Sequence, residues 1–203
     1  MPTTTEEVIP AGFDPIVFWM ENKSKVITYA TLLIVGLVAF AAYQITIQRN
    51  KAESAALYAQ ATKPEDFKRV LQKFPHSLAA GNAQLMLAGA LRSDKKQDEA
   101  LAALREFTTQ FPDHPLAAVG ALGIATSLDQ QGKIDEAFDA YQQVAVKHPA
   151  SYAAPLALMA QANILTAKGK TDEARRIYEN ITSQYPESLF SQQAIQSGRL
   201  LHK

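Results

Sequence analysis

The sequence predicts an all-α protein in which a single N-terminal transmembrane helix precedes an α-solenoid of antiparallel helix pairs. Three observations support this fold class. Residues 26–47 form an uncharged apolar stretch. After residue 50 the chain is rich in Ala, Leu, Gln, Lys and Glu, which lose little free energy on entering a helix. Prolines recur in that part of the chain at a fixed interval, which indicates a repeat architecture.

The composition excludes several classes of function. The 203 residues include 20 basic and 20 acidic side chains, so the formal net charge is zero. A nucleic-acid-binding protein needs an excess of Lys and Arg to displace counterions from phosphates, and this chain has no such excess. The sequence contains no cysteine, which rules out disulfides, thiolate catalysis and Cys-ligated zinc.

The apolar stretch at residues 26–47 is long enough to cross a bilayer. As a helix it would span about 33 Å, slightly more than the hydrocarbon core. Lys23 and Lys25 flank one end and Arg49 and Lys51 the other, as expected for charged groups at the two membrane interfaces. A buried core helix of this length would show a clear polar face, and this stretch has none. The sequence therefore favours a transmembrane helix.

A cleaved signal peptide is the alternative explanation of this stretch, because the run AFA at residues 39–41 fits an A-x-A cleavage site. Against it, about 25 residues precede the apolar run, and they include acidic side chains such as Glu6 and Asp14. The apolar run also continues past the putative cut. An uncleaved anchor is therefore favoured. Basic residues flank both ends in similar number, so charge counting does not fix its orientation.

The repeats are marked by four prolines. Pro75, Pro112, Pro149 and Pro186 are each 37 residues apart (112 − 75, 149 − 112 and 186 − 149). Before each proline, large apolar residues recur three positions apart, which predicts one buried helix face ending at the proline. These residues are Phe67 and Val70, Leu104 and Phe107, Tyr141 and Val144, and Tyr178 and Ile181.

Each repeat predicts two helices. The proline-terminated helix begins at an acidic Asp-Glu-Ala run (98–100, 135–137 and 172–174), whose charge complements the helix dipole. Amphipathic helices are expected before it, over 79–92, 116–130 and 153–167. In the degenerate first repeat, Thr62 and Glu65 are expected to form a capping box. A closing helix is expected over 187–201. The predicted organisation is a tail over 1–25, a transmembrane helix over 26–47, and a domain over 48–203 with about 3.5 repeats.

This pattern resembles the tetratricopeptide repeat. The family's second-helix signature is a small residue, a large apolar residue four positions later and a proline eight positions after that. The matching residues are Ala100, Leu104 and Pro112, then Ala137, Tyr141 and Pro149, then Ala174, Tyr178 and Pro186. The family's usual first-helix Trp is absent, and the period of 37 exceeds the usual repeat of about 34. The resemblance implies a TPR-like protein-binding scaffold.

No motif predicts catalysis or a cofactor. Gly169-Lys170-Thr171 resembles the end of a phosphate-binding loop, but Ile164 stands where that motif needs glycine. His76, His114 and His148 lie beside the repeat prolines without metal-ligand spacing, so we interpret them as solvated turn residues. We expect no enzyme activity, cofactor, metal or small-molecule substrate.

The first helices of such repeats line the concave face, and the resemblance therefore implies a groove for protein or peptide partners. The candidate residues at matched positions are Asn82, Leu85, Arg92, Val119, Leu122, Thr126, Asp129, Leu156, Met159 and Asn163. Apolar members cluster at one end of this face, which suits a peptide with apolar anchors. The alternative is that the apolar stripe packs against the chain's own terminal helix.

Three short segments are similar to those of ancillary subunits of the bacterial protein-export translocon. They are the Phe-Pro-x-Ser joint at 74–77, the His-Pro-x-Ser joint at 148–151 and the segment FWMENK at 18–23. That resemblance implies a single-pass inner-membrane protein with a cytoplasmic N-terminus and periplasmic repeats. Its implied partners are the export channel or periplasmic chaperones. Two alternatives stay open, a structural protein of cell-envelope assembly and a cytosol-facing membrane-anchored receptor.

Overall fold

A computed structural model describes residues 15–201. All the regular structure among these residues is helical, and the repeated helix pairs confirm the predicted all-α solenoid. The helices are α1 (Pro15–Gln60), α2 (Pro64–Lys73), α3 (Leu78–Ser93), α4 (Gln97–Gln110), α5 (Ala117–Gln130), α6 (Ile134–Lys147), α7 (Ala153–Ala167), α8 (Thr171–Gln184) and α9 (Leu189–Leu200).

The first helix contains the whole predicted membrane segment. α1 is 46 residues long and includes an 18-residue window of mean hydropathy 2.1 that is wholly unburied. By length and composition it can cross a membrane. Residues 1–14 of the expected tail lie outside the described residues, and 15–25 belong to α1. The chain divides into two compact units, Met1–Arg49 and Asn50–Lys203.

Within the second unit, helices of two kinds alternate. The A helices are α3, α5 and α7, and the B helices, which end at the repeat prolines, are α2, α4, α6 and α8. The last turns of α1 adjoin the first B helix: Ser54 is buried, and Leu57 and Tyr58 pack against the first core cluster. The expected A helices start and end within one residue of the observed ones, because the polar turns that bound them are explicit in the sequence.

The turns from A to B helices share one backbone geometry. Lys95, Gly132 and Gly169 have φ of 62°, 73° and 73°, the left-handed region that favours glycine. The residue after each turn donates its backbone N–H to a carbonyl five positions earlier, for example Lys133 N to Leu128 O at 3.0 Å. This is the 6→1 bond of a Schellman motif, which satisfies carbonyls at the helix end.

The capping of α2 differs from the expectation. Asp66, rather than Glu65, turns back to the helix start, where its carboxylate accepts backbone N–H bonds from Thr62 at 3.3 Å and Lys63 at 3.2 Å. The predicted box was therefore wrong by one residue, because Lys63 occupies the N-cap position and Pro64 begins the helix. The two N–H bonds hold the pKa of Asp66 below its ordinary value.

One pair of positions forms the centre of each repeat. Val70, Phe107, Val144 and Ile181 are 37 residues apart, and each is fully buried. The residues at the matching positions of α3, α5, α7 and α9 are small: Ala83, Gly120, Ala157 and Ala194. The largest side chain, Phe107, pairs with the smallest partner, since an added Cβ on Gly120 would lie 2.4 Å from Phe107 Cδ1.

The A helices approach one another more closely than the B helices do. Among the described residues, α5 packs on α7 and α7 on α9, in addition to the contacts of each helix with its chain neighbours. The B helices are held apart by the A helices between them. The second unit therefore has an inner face lined by A helices and an outer face on which grooves separate the B helices.

Candidate partner-binding groove

The inner face contains a crevice of about 150 Å³ between α3 and α5. Three of the predicted groove residues line it, namely Leu85 and Arg92 from α3 and Val119 from α5. Ala100 and Leu104 of the intervening α4 form its floor. We call this feature the inner crevice.

Small residues create the space in the inner crevice. Gly89 on α3 and Gly123 on α5 both line it. An added Cβ on Gly89 would meet nothing within 4 Å, whereas one on Gly123 would lie 3.1 Å from Leu104. The crevice is therefore open beside Gly89 and closely packed beside Gly123. Its floor is apolar, and exposed Arg92 provides a positive charge at the rim.

The polar candidates at the other end of the face have partners inside the protein. Tyr141, buried on α6, donates its hydroxyl to Asp129 at 3.4 Å. Tyr178 on α8 donates its hydroxyl to Asn163 at 3.0 Å, and Asn163 stands 37 residues after Thr126, not after Asp129. Burial is the main cause that raises the pKa of Tyr141, and the nearby Asp129 carboxylate adds to the effect. These two groove candidates therefore fix a B-helix tyrosine within their own repeat.

The remaining candidates differ in how accessible they are. Thr126 donates its hydroxyl to Leu122 O at 2.9 Å, a bond within α5. Leu122 is half-buried against the core formed by α5, α6 and α7. Asn82 and Leu156 are also half-buried. Met159 is 3% exposed and belongs to the core cluster that contains residues of α8 and α9.

Met159 is therefore a core residue in this structure and not part of the groove surface. Its cluster includes Ala194 and, at the edge, Phe190, both from α9. The alternative in which the stripe packs against the terminal helix thus applies to this residue. Sequence periodicity placed Met159 on the inner side of α7 but did not indicate that it is buried in the core cluster shared with α8 and α9.

A family profile for the tetratricopeptide repeat-like domain matches residues 17–197. The chain belongs to the tetratricopeptide repeat-like domain family. The match begins within α1 and continues through α9, so it includes the apolar stretch together with all the repeats. No curated protein matches the chain. Domains of this tetratricopeptide repeat-like type typically bind proteins and are typically non-catalytic, so a protein-interaction scaffold is the function that the family supports.

One set of contacts that the sequence did not indicate joins successive tetratricopeptide repeat-like units. The side chain of Gln131 donates to Asp98 at 3.2 Å, and 37 residues later Lys168 donates to Asp135. In α4 and α6 the first acidic residue of the B helix thus accepts a bond from the end of the next A helix. Lys168 holds the pKa of Asp135 below its ordinary value through this bond and its charge. Repetition of both positions at the same interval is the signal that could have revealed it.

His114 also differs from its expected role as a solvated turn residue. Its Nδ1 accepts the backbone N–H of Leu116 at 3.1 Å, so Nε2 carries the proton and donates to Leu78 O at 3.2 Å. The ring lies edge-on to Phe107, with centroids 5.3 Å apart. An added Cβ on Gly81 would lie 2.6 Å from its Cδ2 atom. This histidine therefore fastens the start of α3 to the turn before α5. Among residues 15–201 no group of three or more His, Cys, Asp and Glu could hold a metal.

Proposed function

We propose that this protein is a membrane-anchored scaffold whose inner crevice binds a segment of a partner protein on the periplasmic side of a bacterial inner membrane. The observation that carries the proposal is the family match, which spans the apolar helix and the repeats together. A scaffold held at a membrane brings its partners to that surface and raises their effective concentration there. The proposed setting is protein export or the chaperoning of exported chains.

The chemistry of the inner crevice supports a specific kind of partner segment. Its floor of Ala100 and Leu104 suits a small apolar side chain, and its volume of about 150 Å³ admits few atoms. Arg92 at the rim favours an acidic residue beside that anchor. The proposed ligand is therefore an apolar residue flanked by a carboxylate, carried on an exposed segment of the export channel or of a periplasmic chaperone.

Membrane topology is the first test. Because the chain has no native cysteine, single cysteines at Thr3, which lies outside the described residues, and at exposed Asp113 give clean labelling sites. A membrane-impermeant maleimide applied to spheroplasts should label position 113 alone, on a full-length chain. Labelling at position 3 alone would place the repeats in the cytosol and favour the receptor alternative. A shortened chain would instead indicate cleavage within the apolar stretch.

The inner crevice is tested by filling it. An added Cβ on Gly89 meets no atom within 4 Å, so Gly89→Phe can direct its ring into the crevice, and unchanged circular dichroism will show that the fold persists while the crevice closes. Ala102→Phe is the matched control, because Ala102 is exposed on α4 and faces an outer groove. With a photo-crosslinking residue at exposed Ser93, which leaves Arg92 in place, adducts to export-channel or chaperone proteins should disappear in the Gly89→Phe chain and persist in the control. Equal adduct yield in both chains would refute the crevice as the binding site.

A further inference from the structure

Two grooves on the outer face occupy equivalent positions in the repeat array. The proximal outer groove lies between α2 and α4 over α3, and has a volume of about 490 Å³. The distal outer groove lies between α6 and α8 over α7, and has a volume of about 400 Å³. Eight lining residues of each groove correspond at an offset of two repeats, so Gln72 matches Val146 and Glu106 matches Asn180, whereas Glu99 matches Glu173, which does not line the distal outer groove. The two grooves therefore differ by substitution at shared positions.

The two grooves differ most in charge. Lys68, Glu99 and Glu106 line the proximal outer groove. The described residues that line the distal outer groove carry no charge: they are aromatic, aliphatic or amide side chains. Since charged residues make up 20% of the chain, an uncharged groove of this size on an exposed face requires an explanation.

One polar contact that fills the proximal outer groove is missing from the distal one. In the proximal groove, buried Gln84 donates its amide to Ala103 O at 3.1 Å and to Glu106 at 3.0 Å. In the distal outer groove, Leu158 stands at the position of Gln84 and Asn180 at the position of Glu106. An amide–carboxylate pair is thus replaced by a buried leucine and a neutral amide, which leaves an apolar strip along the groove floor.

The distal outer groove also presents apolar surface at its rim and amides along its sides. Val146 is 71% exposed there, where the proximal groove has Gln72. Gln142 and Gln184 are exposed on the opposing helices α6 and α8. Buried Gln161 donates to Phe138 O at 3.1 Å and so is fixed in orientation. Amides on both walls can donate to and accept from a peptide backbone laid between them.

We propose that the distal outer groove binds an uncharged apolar segment of an extended partner polypeptide. Apolar side chains of the segment lie on the strip formed by Leu158 and its neighbours, and its backbone bonds to the wall amides. A charged segment is disfavoured, because an ion buried against neutral walls loses hydration without gaining a counter-charge. This site is separate from the inner crevice of the proposed function, and lies on the opposite face of the repeat unit.

The test uses the full-length chain in lipid nanodiscs and two fluorescent nine-residue peptides with blocked ends. One peptide contains only Leu, Val, Ser and Gln, and the other carries Glu in place of two Ser residues. Binding is measured by anisotropy after subtraction of the signal from empty nanodiscs. The neutral peptide should bind at least about tenfold more tightly than the acidic one.

Matched variants localise the binding. Val146→Glu should weaken binding of the neutral peptide at least about tenfold, whereas Gln72→Glu at the equivalent proximal position should change it less than about twofold. Val146 is exposed, so unchanged circular dichroism will show that the fold persists. Gln184→Glu is a second variant, and it should likewise weaken binding of the neutral peptide at least about tenfold. Equal binding of both peptides, equal effects of the two matched variants, or crosslinking from position 146 only to a second copy of the chain would overturn the proposal.

Discussion

The pairing of Phe107 with Gly120 makes a quantitative prediction about how the repeats pack. Three of the four repeat centres combine a branched aliphatic residue with alanine, and this one combines phenylalanine with glycine. An added Cβ on Gly120 would lie 2.4 and 2.5 Å from two ring carbons, more than 1 Å closer than ordinary carbon contacts. Gly120→Ala should therefore destabilise the native chain even though alanine is the better helix former.

The magnitude follows from two opposing effects. Overpacking of a dense core costs about 1–3 kcal/mol, and the helix preference of alanine over glycine offsets up to about 1 kcal/mol of it. The net loss for Gly120→Ala should be about 1–2 kcal/mol. Phe107→Val leaves a cavity and removes the ring contacts with Phe111 and His114, so it should cost about 2–4 kcal/mol.

The combination of the two substitutions distinguishes compensation from independent damage. In the Phe107→Val background the space beside residue 120 is empty, so Gly120→Ala should stabilise the chain by about 0.5–1 kcal/mol instead of destabilising it. The effect of one substitution thus changes sign, with a coupling energy of about 1.5–3 kcal/mol. Urea unfolding of the full-length chain in mild detergent, followed by circular dichroism, measures all four free energies of unfolding.

Gly89→Ala provides the matched control, since an added Cβ there meets no atom within 4 Å. It should stabilise the chain by up to about 1 kcal/mol in either background, through helix preference alone. If Gly120→Ala is neutral in the native background, or equally destabilising in both backgrounds, the argument that the glycine compensates for the larger ring is refuted.

Three further predictions concern the turns and the contacts between repeats. Lys95→Gly should raise the free energy of unfolding by about 0.5–1 kcal/mol in urea titrations because it relieves a left-handed residue, and Gly132→Lys should lower it by about 1 kcal/mol; opposite signs would contradict the turn argument. Gly81→Ala should cost about 1–2 kcal/mol by displacing the His114 ring, and should have little effect in a His114→Ala background, as measured by the same titrations. Because the pKa of Asp135 is lowered in the folded chain, its bond with Lys168 stabilises above the usual carboxyl pKa of about 4 and is lost as pH falls through the folded value. Asp135→Asn and Lys168→Gln should therefore each flatten the pH dependence of the melting temperature in that acidic range. An unchanged slope in both variants would show that the bond between Asp135 and Lys168 does not contribute to stability there.

The fold could be predicted because its period is expressed in residues with strong local effects. The repeat prolines end the B helices, and the turns at Lys95, Gly132 and Gly169 separate the helices of each pair. Such signals act within a few positions of the chain, so their outcome does not depend on which helix lies opposite. The predicted bounds of the repeat helices therefore agree with the observed bounds to within one or two residues. The acidic residue that caps α2 lies one position after the predicted one.

The candidate site was less predictable, because it depends on which neighbour covers each side chain. Periodicity places Asp129 and Asn163 on the inner side of their helices, but it does not reveal that buried tyrosines 12 and 15 residues later donate to them. Leu85 and Val119 do line one crevice, since adjacent A helices are neighbours in any such array.

The terminal helix shows how far the binding surface can extend. In α7, Pro155, Met159 and Ala162 are buried. Their counterparts 37 residues later in α9 are Gln192, Gln196 and Arg199, which are all exposed. A further repeat packed on these positions of α9 would bury two amides and a guanidinium, which disfavours an extension of the array on this face. Met159 is itself buried in the core cluster that α7 shares with α8 and α9, so the apolar surface that remains open on the inner face lies towards α3 and α5. Partner selection should therefore depend on the inner crevice and the distal outer groove, and not on a continuous stripe along all the A helices.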